Sequence, residues 1–129
     1  MNKSEILGAF NNHFIEFFNE VSLLFPENTD IKIAHTSLTA MRKANPKLIA
    51  TIWKQYIVEP YKNEIEAGNI SFFINRNYTE DLKDASYAQT ILQKIDTLRE
   101  PIKQMGEENL KKTIGYVQNL TKICELLNE

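Results

Sequence analysis

Apolar residues recur at helical spacing through most of the chain. From Ser4 onward, Leu7, Phe10, Phe14, Phe17, Phe18, Val21, Leu24 and Phe25 fall three and four apart. That spacing sets them along one wide stripe of a first helix, with Ser4 as its N-cap. Pro26 disfavours the helical conformation at Phe25 and ends the helix there. Pro26-Glu27-Asn28-Thr29-Asp30 reads as a turn, in which Thr29 or Asp30 caps a second helix over residues 31–43. Ile31, Ala34, Leu38 and Met41 form its buried side. Asn45 and Pro46 then start a third helix, because proline at the first helical position gives up an N–H that has no partner there anyway. Leu48, Ile49, Ile52, Trp53, Tyr56 and Ile57 give this helix a strongly one-sided pattern, as core or interface.

Pro60 either kinks the third helix or begins a short new one, and Gly68 supplies the left-handed residue that commonly closes a helix. Residues 69–75 have the length of a strand but no second segment to pair with, so they read as an irregular plug with Phe72 and Phe73 turned into the bundle. A long helix begins between Glu80 and Ser86. Its apolar positions Ile91, Ile95, Leu98, Ile102 and Met105 alternate four and three, which suits a long antiparallel partner. Pro101 bends it about one turn earlier. Gly106 separates it from a last helix over residues 107–127, whose stripe is Leu110, Ile114, Val117, Leu120, Cys124 and Leu127. These two arms form either a hairpin around Gly106 or one bent helix, and a hairpin closes the core. The expectation is all-α: a single-domain bundle of about five helices with a long C-terminal helical hairpin.

Composition narrows the class without naming a role. The 129 residues are 43% hydrophobic and 25% charged, with four Gly, four Pro and one Cys, enough to bury a core without disulfide or metal staples. A lone Cys124 rules out an intramolecular disulfide and a multi-cysteine zinc site, and it fits an intracellular protein. The amino-terminal stretch is interrupted by Asn11, Asn12, His13 and Glu16, so it has no continuous apolar core of a secretory signal. No window is long and apolar enough for membrane insertion.

Charge is near balance overall and uneven along the chain. Residues 1–30 carry Lys3 against Glu5, Glu16, Glu20, Glu27 and Asp30, while residues 31–62 carry Lys32, Arg42, Lys43, Lys47, Lys54 and Lys62 against Glu59 alone. The second segment raises nucleic acid as a partner. Its two helices and the Ala44-Asn45-Pro46 turn carry Arg42, Lys43, Lys47 and Lys54 as candidate phosphate contacts. The supply of cations is small, and the sequence pI is about 5.7.

Candidate chemistry is sparse. There is no phosphate-binding glycine loop, no His-Glu-x-x-His and no cysteine pair. His13, Glu16 and Glu20 lie on the polar side of the first helix at a spacing that offers nitrogen and oxygen ligands, but no facing helix repeats the set, so they read as a solvated face. His35 lies near Lys32, which opposes a role as a proton-holding group. Cys124 on an apolar stripe reads as an inert buried thiol. No catalytic residue, metal site or cofactor is expected.

The aromatics are more informative. All seven phenylalanines lie in two clusters, Phe10 to Phe25 and Phe72-Phe73. Each fully buried Phe contributes about 1.5–3 kcal/mol, so most belong to the core. The adjacent pairs Phe17-Phe18 and Leu24-Phe25 widen the stripe beyond what one neighbouring helix covers, which leaves an aromatic edge to anchor a partner. Phe14, Phe17, Phe18, Trp53 and Tyr56 are the candidates for that edge.

Phe10-Asn11-Asn12, Phe14, Phe17-Phe18, Phe25-Pro26-Glu27, Ala44-Asn45-Pro46, Pro60-Tyr61-Lys62, Ile65-Glu66 and Phe72-Phe73-Ile74 together resemble the pattern of small uncharacterised helical proteins of large DNA viruses of algae and protists. The resemblance spans about the first 75 residues. It implies a viral protein in an intracellular setting, host cytoplasm or virion, and no enzymatic activity. The expectation is a non-enzymatic interaction or structural protein that meets a protein partner or itself, with a nucleic-acid accessory role for the basic segment as the alternative.

Overall fold

A computed structural model of the chain describes residues 2–69, 71 and 87–127. The expectations for Phe72, Phe73 and the start of the long helix near Glu80 to Ser86 lie outside the described residues. Within them the protein is all-α with no strand.

Helix α1 spans Lys3–Leu24. Its cap is Asn2 rather than Ser4: the Asn2 side chain accepts from the Glu5 N–H at 2.8 Å while the Glu5 carboxylate accepts from the Asn2 N–H at 3.2 Å. This capping box satisfies two donors that would otherwise lack partners at the helix start, whereas a cap at Ser4 would satisfy one. Helix α2 spans Thr29–Ala44 and is capped by Asn28, whose side chain accepts from the Ile31 N–H at 3.1 Å. Asn28 stands one residue ahead of Thr29 and two ahead of Asp30, the expected caps. Lys47 occupies the N-cap position of α3 (Leu48–Trp53), and Asn45 and Pro46 lie in the preceding turn, where the Asn45 side chain accepts from the Lys47 N–H.

Helix α3 continues through a π-helical turn, Lys54–Val58, into α4 (Glu59–Glu66). The widened turn lies immediately ahead of Pro60, whose ring would clash with a carbonyl one α-turn back. Tyr61 then leaves helical geometry at φ −125° and ψ 18°. Gly68, at φ 76°, closes α4: its N–H meets the Ile65 carbonyl and the Asn69 N–H meets the Glu64 carbonyl. Helix α5 (Tyr87–Asp96) stops at the Thr97-Leu98 turn, and Pro101 sits in the first turn of a short α6 (Arg99–Lys103), where its missing N–H breaks no bond. Gly106 is extended and caps α7 (Glu107–Glu125), so the chain turns a corner there instead of bending as one helix.

Helix α1 is the centre of the packing. Helices α2, α3 and α7 all lie against it, α5 packs on α2 and α3, and α7 also packs on α4 and the π-turn. Phe10, Phe14, Phe17, Phe18 and Trp53 are 0–1% exposed. Phe14 and Trp53 meet edge to face at 5.8 Å, and Phe10 and Phe14 stack at 5.9 Å. Polar contacts between elements include the bond from Asn11 Nδ2 to the Pro46 carbonyl at 2.9 Å, the bond from Gln118 Nε2 to the Ile65 carbonyl at 3.0 Å, and the Lys62–Glu125 pair at 2.7 Å.

Candidate functional site

The Asn11–Pro46 hydrogen bond draws the first turns of α1 against the corner between α2 and α3. This brings together cations from three places in the sequence. One depression, of about 830 Å³, is lined by Lys3, Ser4, Leu7, Gly8 and Asn11 of α1 and by Arg42, Lys43, Asn45, Pro46 and Lys47 of the corner. A second, of about 430 Å³, shares Lys3, Leu7 and Lys47 and continues along the helix past Thr51, Lys54 and Gln55 to Cys124 and Leu127. Among the described residues, Lys3, Arg42, Lys43, Lys47 and Lys54 line the joined surface together with the carboxylate of Glu59. Lys43, Lys47 and Lys54 form no salt bridge with a described carboxylate. Arg42 is presented by Asn12, whose side-chain oxygen accepts from Nη2.

The four basic residues expected at a nucleic-acid surface, Arg42, Lys43, Lys47 and Lys54, therefore share one face. Two cations of the same segment do not join their depressions. Lys62 is held by Glu125, which raises its pKa by hydrogen bonding and charge, and Lys32 lies near the start of α2. Lys3, Gly8, Asn11 and Asn12 were not legible as site residues, because only tertiary packing sets α1 beside the corner.

The aromatic candidates for a protein-binding edge are corrected by their burial. Phe14, Phe17, Phe18 and Trp53 are core side chains, because α2, α3 and α7 together cover the stripe that one neighbour would have left open. Tyr56 is half-buried and packs on the same core. Among the described residues, the exposed large apolar side chains are instead Leu23, Leu24, Ile33 and Leu126.

A separate groove of about 490 Å³ runs between α1 and α7. His13 and Phe17 lie against the Tyr116 ring at 4.8 and 5.3 Å, and the Tyr116 hydroxyl donates to Glu16 at 2.9 Å. Burial, the hydrogen bond to Glu16 and the charges of Glu16 and Glu20 push the Tyr116 phenol up to about 12. His13 and Glu16 are thus tied to the Tyr116 ring and its hydroxyl, and Glu20 acts on the phenol by charge alone. Among the described residues no group of three or more His, Cys, Asp or Glu side chains is placed to hold a metal ion.

Cys124 is buried at the floor of the second basic depression, with Sγ 3.5 Å from the Ala50 carbonyl. Desolvation pushes its thiol up to about 11 against the opposing pull of Lys54, so the thiolate needed for nucleophilic chemistry is scarce at neutral pH. No helix among the described residues is long and apolar enough to cross a membrane. Comparison with family models, curated proteins and solved structures finds no match to this chain.

Proposed function

We propose that this protein is a non-enzymatic binding protein that engages nucleic acid through the basic corner formed by Lys3, Arg42, Lys43, Lys47 and Lys54. The observation that carries the proposal is the joined surface itself, where Arg42, Lys43, Lys47 and Lys54 gather with Lys3 and, among the described residues, Glu59 is the carboxylate that lines it, in a chain whose net charge is −2. Concentrating positive charge on one face of an acidic protein lets the remaining surface repel a polyanion while that face attracts it, which orients the encounter. Phosphate neutralisation releases condensed counterions, so affinity depends steeply on salt.

Binding of a fluorescent oligonucleotide measured between about 50 and about 200 mM salt tests this. With at most five phosphates neutralised, the logarithmic salt slope for a single strand is no steeper than about −3.5. Replacing Lys43 and Lys47 by Gln reduces its magnitude by about 1.4. Absence of binding at the lower salt, or a slope unchanged in the double variant, overturns the proposal.

Self-association is the second reading. It is favoured by Leu23 and Leu24, 66% and 44% exposed at the end of α1, next to the α1/α7 groove that Leu24 lines. Sedimentation that shows only monomer at micromolar concentration removes it.

A further inference from the structure

Helices α1 and α7 run antiparallel on either side of their groove: the start of α1, at Lys3 and Leu7, lies near Cys124 and Leu127, and its end, at Leu24, lies near Met105 and Asn109. The hydrogen bond from Tyr116 to Glu16 fixes the register. About one helical turn further along α1 and one turn back along α7, Glu20 stands across the groove from Lys112. Both side chains are exposed and both line the groove, yet neither forms a salt bridge with the other or with any other described residue. Two opposite charges are thus held in register and apart. Leu23 and Leu24 follow Glu20 by three and four residues, on the same face of α1, and are 66% and 44% exposed.

The charge pattern of this groove complements itself. A two-fold axis laid along the groove sets α1 of one copy over α7 of another and keeps every residue at its own height. Each α1 then runs antiparallel to the facing α7 in the register it already has within its own chain. Glu20 of each copy comes opposite Lys112 of the other, and because the contact is isologous the pair forms twice. The four helices close over Leu23 and Leu24 in the manner of a bundle. Other occupants fit less well. A polyanion would meet Glu16 and Glu20 here and a polycation would meet Lys112, so neither matches both walls. The basic corner shares no lining residue with the groove, so a second copy seated here leaves it open.

We propose that two copies of this chain associate through the α1/α7 groove, with Glu20 of each copy paired to Lys112 of the other and with Leu23 and Leu24 covered. This rests on the self-association reading above and names its surface and its register.

The test is sedimentation equilibrium of the full chain at low salt and micromolar concentration, for wild type, Glu20→Lys, Lys112→Glu and an equimolar mixture of the two variants. Wild type is expected to dimerise. Each variant alone sets two like-charge pairs across the interface and is expected to weaken the dimer about tenfold or more. In the mixture each reversed residue of one variant faces its opposite on the other, so dimerisation is expected to return to the wild-type level. That recovery occurs between chains, so a change of fold within either variant does not produce it. Replacing Leu23 and Leu24 by Gln is expected to weaken the dimer as well. Should a charge reversal perturb the circular dichroism spectrum, Glu20→Gln and Lys112→Gln remove the pairing without repulsion and are expected to give a smaller loss. A dimer unaffected by either reversal, or a mixture no more dimeric than its components, overturns the groove pairing and leaves association through another face. Wild type that is monomeric throughout overturns the self-association reading beneath it.

Discussion

At the scale of single residues, burial decides roles more than residue type does. Phe14 touches Phe10, Phe18 and Trp53 with no exposed surface, so truncation opens a cavity that no neighbour can relax into fully. Phe14→Ala is expected to lower unfolding free energy by about 3–5 kcal/mol in urea titration, the signature of a core side chain. A change within about 0.5 kcal/mol would instead return Phe14 to the surface. Tyr116 makes a pH-dependent contribution. Its phenol is raised to about 12 in the folded chain, against about 10 when unfolded, so the fold favours the protonated form. The stability this contributes is complete below about pH 10 and is lost as pH rises toward 12. Melting temperature is expected to fall through that window, and Tyr116→Phe to flatten this part of the profile. An identical profile in the variant contradicts the assignment.

At the scale of elements, the helices were legible because period and length agree. The α1 stripe runs through six turns and Pro26 ends it cleanly, so no competing conformation buries the same residues. Caps were less legible. Ser4, Thr29 and Asp30 all have the chemistry of an N-cap, but so do Asn2 and Asn28, and a choice among neighbours one or two positions apart depends on where the helix first meets its packing partners. The π-turn before Pro60 had no local signal beyond the proline. Gly115 lies inside α7 and lines the α1/α7 groove, and a Cβ there meets nothing within 4 Å. Gly115→Ala is expected to stabilise the chain by about 0.5–1 kcal/mol, read as a higher urea midpoint with unchanged slope. A destabilised variant would mean that something in the fold occupies that space.

At the scale of the whole molecule, the site was half legible. Arg42, Lys43, Lys47 and Lys54 are near one another in sequence, and their helices keep them together. Lys3, Gly8 and Asn11 reach the same place only because α1 is pinned to the α2–α3 corner through Asn11 and Pro46, a contact 35 residues apart in the chain. The same long-range packing removed the aromatic edge, since α7 returns over α1 and sets Tyr116 on Phe17. Charge that is nearly neutral as a total is therefore polar in space: cations gather at the amino-terminal end of α1, and Glu16 and Glu20 lie further along it beside α7.

The most direct test of the basic corner as the working surface is residue-resolved. Amide chemical shifts of the labelled full chain are followed by NMR during titration with a short single-stranded oligonucleotide. Shifts are expected at Ser4, Gly8, Asn11, Lys43, Lys47 and Thr51, with Gly115 and Asn119 in the α1/α7 groove unmoved. Shifts confined to the α1/α7 groove, or no shifts at low salt, would contradict it.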